Sequence, residues 1–151
     1  MQRFEAIYLR NLSQTKDYDT LMEIDLSRNS ITENSIKYLA DILRKFQGFK
    51  SIKLSGLSKM KETGYVELAR SLRDNYSLQV LDLSMNSLSQ ATMAEFFNAL
   101  QDNFVLSELR IDVKAKNMPF GSQHQFSQSY TCMSMYQVTL NREAVDLWIN
   151  H

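Results

Sequence analysis

The feature that most limits what this chain can fold into is a self-similarity that returns every 28 or 29 residues. Leu21 opens LMEIDLSRNSI, Phe49 opens FKSIKLSGLSKM, Leu78 opens LQVLDLSMNSL and Leu106 opens LSELRIDVKAK. In each segment the first, fourth and sixth positions are apolar: Leu21, Ile24, Leu26; Phe49, Ile52, Leu54; Leu78, Leu81, Leu83; Leu106, Leu109, Ile111. The last two of each set alternate with residues that are mostly polar, the pattern of a strand with one buried face.

The second half of each unit changes period. Ile36, Leu39, Ala40 and Leu43 follow the first strand, Tyr65, Leu68, Ala69 and Leu72 the second, and Met93, Phe96, Phe97 and Leu100 the third. Steps of three and four place each set on one stripe of an α-helix. Thr32 and Ser89 stand where N-caps belong. The extra residue of the longer unit is expected between its strand and its helix, where a loop absorbs it. A unit of this kind has an apolar strand face and an apolar helix stripe that it cannot bury alone. Stacking joins them into one continuous core, with parallel strands on one side and helices on the other. Helices take more width per unit than strands, so the stack curves with the strands inside.

These segments resemble the leucine-rich repeat family, and in particular its ribonuclease-inhibitor-like subtype of 28- or 29-residue units. LxxLxLxxN occurs twice, ending at Asn29 and Asn86, with degenerate copies from Phe49 and Leu106 that carry Leu57 and Lys114 at the asparagine position. The resemblance implies an asparagine that ties neighbouring turns together, here in an incomplete ladder. It implies an α/β fold: a short right-handed solenoid, strands concave and helices convex. Residues 21–113 form the repeats, from starts at 21, 49, 78 and 106.

The two ends read differently. Within residues 1–20, Phe4, Ile7, Leu9 and Leu12 fit a lone strand serving as an N-terminal cap. Residues 114–151 contain the single proline, Pro119, and a Ser/Gln-rich stretch that by itself reads as linker. They close with NREAVDLWINH, which suits a short helix capped by Asn141, with Val145, Trp148 and Ile149 as its stripe. Two accounts of this tail stay open: it folds back over the last repeat, or it lies along a partner.

Chemistry narrows the function. Seventeen basic residues balance seventeen acidic ones, which gives no field for nucleic acid or anionic lipid. No apolar run reaches the roughly 18–20 residues that span a bilayer, so no membrane insertion is expected. One cysteine, Cys132, points to a reducing compartment. A cytoplasmic location is expected, with a mitochondrial one as the alternative, since MQRFEAIYLRNLSQ carries arginines but an early Glu5. His124, His151 and Cys132 lack metal-ligand spacing, and the four glycines form no phosphate loop. No catalytic residue, metal, cofactor or small-molecule substrate is expected, and the chain is read as no enzyme.

What remains is surface. The positions between the buried strand residues give a polar band across the concave face. They are Glu23, Asp25 and Ser27; Ser51, Lys53 and Ser55; Val80, Asp82 and Ser84; Glu108, Arg110 and Asp112. Such residues also serve as plain solvated strand positions; the family resemblance favours partner binding, and the mixed charge favours a protein partner. Phe126, Tyr130, Tyr136 and Trp148 give a second candidate surface in the tail. The expected function is a non-catalytic protein-interaction module, a small structural or scaffold subunit of a cytoplasmic assembly such as a cytoskeletal or ciliary one. The alternative is regulation of a small GTPase, because the repeats resemble those of Ran GTPase-activating protein in type, although its acidic segment is missing here.

Overall fold

Strands of three residues alternate with helices of three turns, because each unit's period-two segment is short and its helical stripe long. The computed structural model describes residues 23–112 and the backbone of residues 113–114, 128–132 and 135–140. The elements are β1 (Glu23–Asp25), α1 (Glu33–Lys45), β2 (Ser51–Lys53), α2 (Glu62–Leu72), β3 (Val80–Asp82), α3 (Gln90–Asp102) and β4 (Glu108–Lys114). A hairpin follows, β5 (Gln128–Cys132) and β6 (Met135–Leu140). Strands β1 to β4 pair in parallel and in sequence, each with the next, and β6 and then β5 extend the sheet antiparallel.

The core is the one that the two periods describe. Ile24, Ile52, Leu81 and Leu109 lie side by side in register, and all are buried. Leu26, Leu54, Leu83 and Ile111 form the next buried row, and the helical sets from Ile36 to Leu100 close over them. Leu21 and the strand expected in residues 1–20 lie outside the described residues, as do the tail helix capped by Asn141, His124 and His151. Relative to its strand, α2 starts one position later than α1 and α3 do, so the longer unit does place its extra residue in the loop.

Between α1 and α2 the packing depends on Gly64. A Cβ there would stand 2.7 Å from Met60 Sδ and 3.1 Å from Ile36 Cγ2, so the helix starts approach closely only over glycine. Of the two expected caps, Ser89 accepts the Thr92 N–H at 3.2 Å, whereas Thr32 makes no capping bond through its side chain. Its hydroxyl lies 3.3 Å from Ser35 Oγ instead.

Two sequence expectations need correction at the C-terminal end. β4 does not turn after three residues as β1 to β3 do; it runs on to Lys114 against β6. Residues 128–132 and 135–140 are strands, not linker. Tyr136, Val138 and Leu140 recur at every second position, a strand signal that the Ser/Gln-rich composition obscured. The chain therefore pairs the outer edge of its own parallel sheet, an edge that would otherwise present free N–H and C=O groups.

Candidate functional site

The strand register converts a list of polar positions into rows. Glu23, Ser51, Val80 and Glu108 are consecutive Cα partners, and so are Asp25, Lys53, Asp82 and Arg110. In the second row acid and base alternate from strand to strand. Lys53 Nζ meets Glu23 Oε1 at 2.5 Å, and this carboxylate holds the ammonium above its ordinary pKa. Arg110 is gripped from both sides, by Glu108 Oε1 at 2.5 Å and Asp82 Oδ2 at 3.6 Å, and the Glu108 hydrogen bond raises its pKa. Asp25 carries no ion pair among the described residues. The Ser27 N–H donates to its Oδ1 at 2.9 Å and holds the carboxyl below the usual range, with the Ser27 hydroxyl and the Lys53 charge adding to this.

The third row departs from expectation. Ser27 and Ser55 are half-buried, and Ser84 and Asp112 are buried. Ser84 turns back on its own strand, its N–H donating to Asp82 Oδ1 at 2.9 Å and its hydroxyl to the same atom at 2.5 Å. The DLS sequence at Asp25–Ser27 repeats that backbone contact, so both serines close turns, Ser84 buried and Ser27 half-buried.

Asp112 is buried for a different reason. The N–H groups of Arg28 and Gly56 donate to the Ser55 and Ser84 carbonyls at 2.7 and 3.0 Å. At the next rung the Met85 N–H finds Asp112 Oδ2 at 2.6 Å, because β4 runs on against β6 and does not turn. Burial pushes the Asp112 carboxyl above the ordinary range and the Asp82 charge adds to this, while the Met85 N–H opposes it. Its Oδ1 is buried without a hydrogen-bond partner.

Of the tail candidates, Phe126 and Trp148 lie outside the described residues. Tyr130 and Tyr136 are register partners on β5 and β6.

Sequence reading missed three features. A second asparagine ladder runs along the helix-to-strand turns, three residues before the Leu78 and Leu106 starts. Asn75 donates to the Leu43 carbonyl at 2.8 Å and accepts the Leu78 N–H at 2.8 Å; Asn103 donates to the Leu72 carbonyl at 2.7 Å and accepts the Leu106 N–H at 2.9 Å. NxxL at 75–78 and 103–106 was its visible signal. Second, Arg28, Gly56 and Met85 occupy one equivalent turn position and all have positive φ, 58°, 65° and 58°. Third, charge pairs bridge the helices: Arg44 to Glu67 at 2.5 Å, Arg70 to Glu95 at 3.7 Å and Arg73 to Asp102 at 4.0 Å. Glu67, Arg70 and Glu95 of these pairs also line a shallow groove of about 690 Å³.

The expected turn asparagine is present. Asn86 donates to Leu54 O at 2.8 Å and Leu83 O at 2.9 Å, and accepts the Leu57 N–H at 2.8 Å, so one side chain ties two units. Parallel strands alternating with helices, stacked in register and tied by buried asparagines, define a leucine-rich-repeat-type α/β solenoid. Residues 77–99 match the Leucine Rich Repeat family model. Over 128 residues the chain is 30% identical to human "NACHT, LRR and PYD domains-containing protein 13", covering 84% of this chain and 12% of that protein's length. A solved structure of "Leiomodin-1 Actin-Binding Site 2 (ABS2)" superposes with a TM-score of 0.60 at 20% identity, covering 72% of this chain and 60% of that one. Among the described residues no group of three or more His, Cys, Asp or Glu could hold a metal ion. Nor is any described helix long and apolar enough to cross a membrane.

Proposed function

We propose that this chain is a non-catalytic protein-interaction module, a small structural or scaffold subunit of a larger cytoplasmic assembly, and that its repeats are of the ribonuclease-inhibitor-like subtype. The observation that carries the reading is the register of Asp25, Lys53, Asp82 and Arg110 across four strands. A rigid sheet holds these side chains on one face at fixed spacing, and preorganised polar groups recognise a protein surface with little ordering cost on binding. The fold shared with an actin-binding site supports a cytoskeletal assembly as the setting. Mixed charge along the band supports a protein partner over a phosphate backbone.

The test is affinity capture of the tagged protein from its native cells with mass spectrometry. It is repeated with Asp25, Lys53, Asp82 and Arg110 changed to alanine, and in parallel with co-sedimentation on actin filaments. A defined set of partners that disappears with the four substitutions supports the module. A wild-type protein that elutes alone, folded and monomeric, removes the assembly reading.

A further inference from the structure

The chain as a whole is neutral, yet the concave band is not. Its first two rows carry four carboxylates, Glu23, Asp25, Asp82 and Glu108, against two cations, Lys53 and Arg110. Both cations are spent within the band, Lys53 on Glu23 and Arg110 on Glu108 and Asp82. Among the described residues, one uncompensated negative charge is left at the β1 end, on the exposed Asp25, and another at the β4 end, where two carboxylates share Arg110. A second observation strengthens the β4 end. Asp112, on the same side of β4 as Glu108 and Arg110, is 7% exposed, and its Oδ1 has no partner. Between the two ends, the first row has the uncharged Ser51 and Val80, both half-buried, and the second has Lys53 and Asp82, each held in an ion pair.

From these charges we propose that the band takes a partner protein segment bearing at least two Lys or Arg side chains, one for each end, with small uncharged residues between them. The proposal rests on the concave face being the interaction surface and adds the partner's chemistry. Adjacent strands lie about 4.8 Å apart, so the two cations should be about 14 Å apart, two to three helical turns. An acidic segment meets two unscreened repulsions at this face. A cationic one meets two carboxylates left over once the described cations, Lys53 and Arg110, are paired, and contact excludes the water that screens them.

The probes are fluorescent oligolysine and oligoglutamate peptides of equal length, followed by anisotropy at low and at physiological salt. The proteins are the wild type, Asp25→Asn with Glu108→Gln on the strand face, and Glu33→Gln with Glu95→Gln on the helix side, each checked for folding by circular dichroism. Oligolysine should bind the wild type and the helix-side variant alike, and the strand-face variant about five- to thirty-fold more weakly. Equal weakening by both double variants, or a preference for oligoglutamate, overturns the proposal. Ser51→Trp, which blocks the middle of the band, separates the two readings when native partners are captured. Capture lost with Ser51→Trp but kept at full strength by the strand-face charge variant means that the face binds and its partner is not cationic. Capture unaffected by Ser51→Trp removes the face itself as the surface.

Discussion

Replacing Asn86 with alanine tests whether the solenoid depends on side-chain ties between units. Asn86 is 3% exposed and makes its three shortest bonds to the Leu57 N–H, the Leu54 carbonyl and the Leu83 carbonyl, with the Ser84 carbonyl further off at 3.3 Å. Two of these belong to the preceding unit, so the substitution weakens an interface between units as well as one turn. A buried backbone group left without a partner costs about 1–3 kcal/mol, carbonyls falling toward the lower end, which sums to about 3–5 kcal/mol here. A domain of this size is stable by about 5–15 kcal/mol, so the loss is a large share of the total. Urea unfolding followed by far-ultraviolet circular dichroism reads it as a midpoint lowered by roughly 1–3 M. Asn86→Asp sharpens the test. At neutral pH a carboxylate still accepts the Leu57 N–H, but it sets an oxygen against two carbonyls, so it should be no milder than alanine. Ser87→Ala at the exposed neighbour should stay within about 0.5 kcal/mol. A loss below about 1 kcal/mol for Asn86→Ala, or an aspartate clearly better tolerated than alanine, refutes the reasoning.

Three further outcomes are expected. Arg28→Gly and Met85→Gly should each stabilise by about 0.5–1 kcal/mol, because left-handed backbone costs an L-residue more than glycine loses in unfolded-chain entropy, while Gly56→Ala should destabilise; thermal unfolding midpoints check the signs. Ser89→Ala should cost about 1 kcal/mol and Thr32→Ala clearly less, since Ser89 alone of the two accepts a backbone N–H of its helix through its side chain; urea titration measures both. The folded-state pKa of Asp112 is raised, so its ionisation opposes folding above that pKa, and the penalty fades as pH falls through it toward the unfolded value. Wild type should therefore gain stability relative to Asp112→Asn as pH drops from neutral into the acid range, and a difference that stays constant with pH would count against this.

The repeat starts and the two periods were legible because they are properties of chain spacing. A strand with one buried face must alternate, a helix with one buried stripe must step by three and four, and a phase kept over 28 or 29 residues leaves stacking as the way to bury both. Ile24, Ile52, Leu81 and Leu109 were readable as core for that reason. So were Glu23, Asp25, Lys53, Asp82 and Arg110 as a face, since side-chain direction on a strand follows from position alone.

What the chain's spacing could not decide is what happens where units meet something other than another unit. Ser84 and Asp112 have the alternation of exposed residues and are buried, Ser84 because its hydroxyl folds back onto Asp82 and Asp112 because β4 runs on against β6. Whether a strand turns or continues depends on the partner along its edge, and that partner, Met135–Leu140, lies more than 20 residues away in a stretch whose composition argues for linker. The pairing of Lys53 with Glu23 and of Arg110 with Asp82 likewise needs the distances between strands and not the order of residues within one. Sequence determined the unit and its faces, because those are local periodicities. Tertiary structure decided how the stack ends and which charges remain unpaired, because both are set by contacts between segments far apart in the chain.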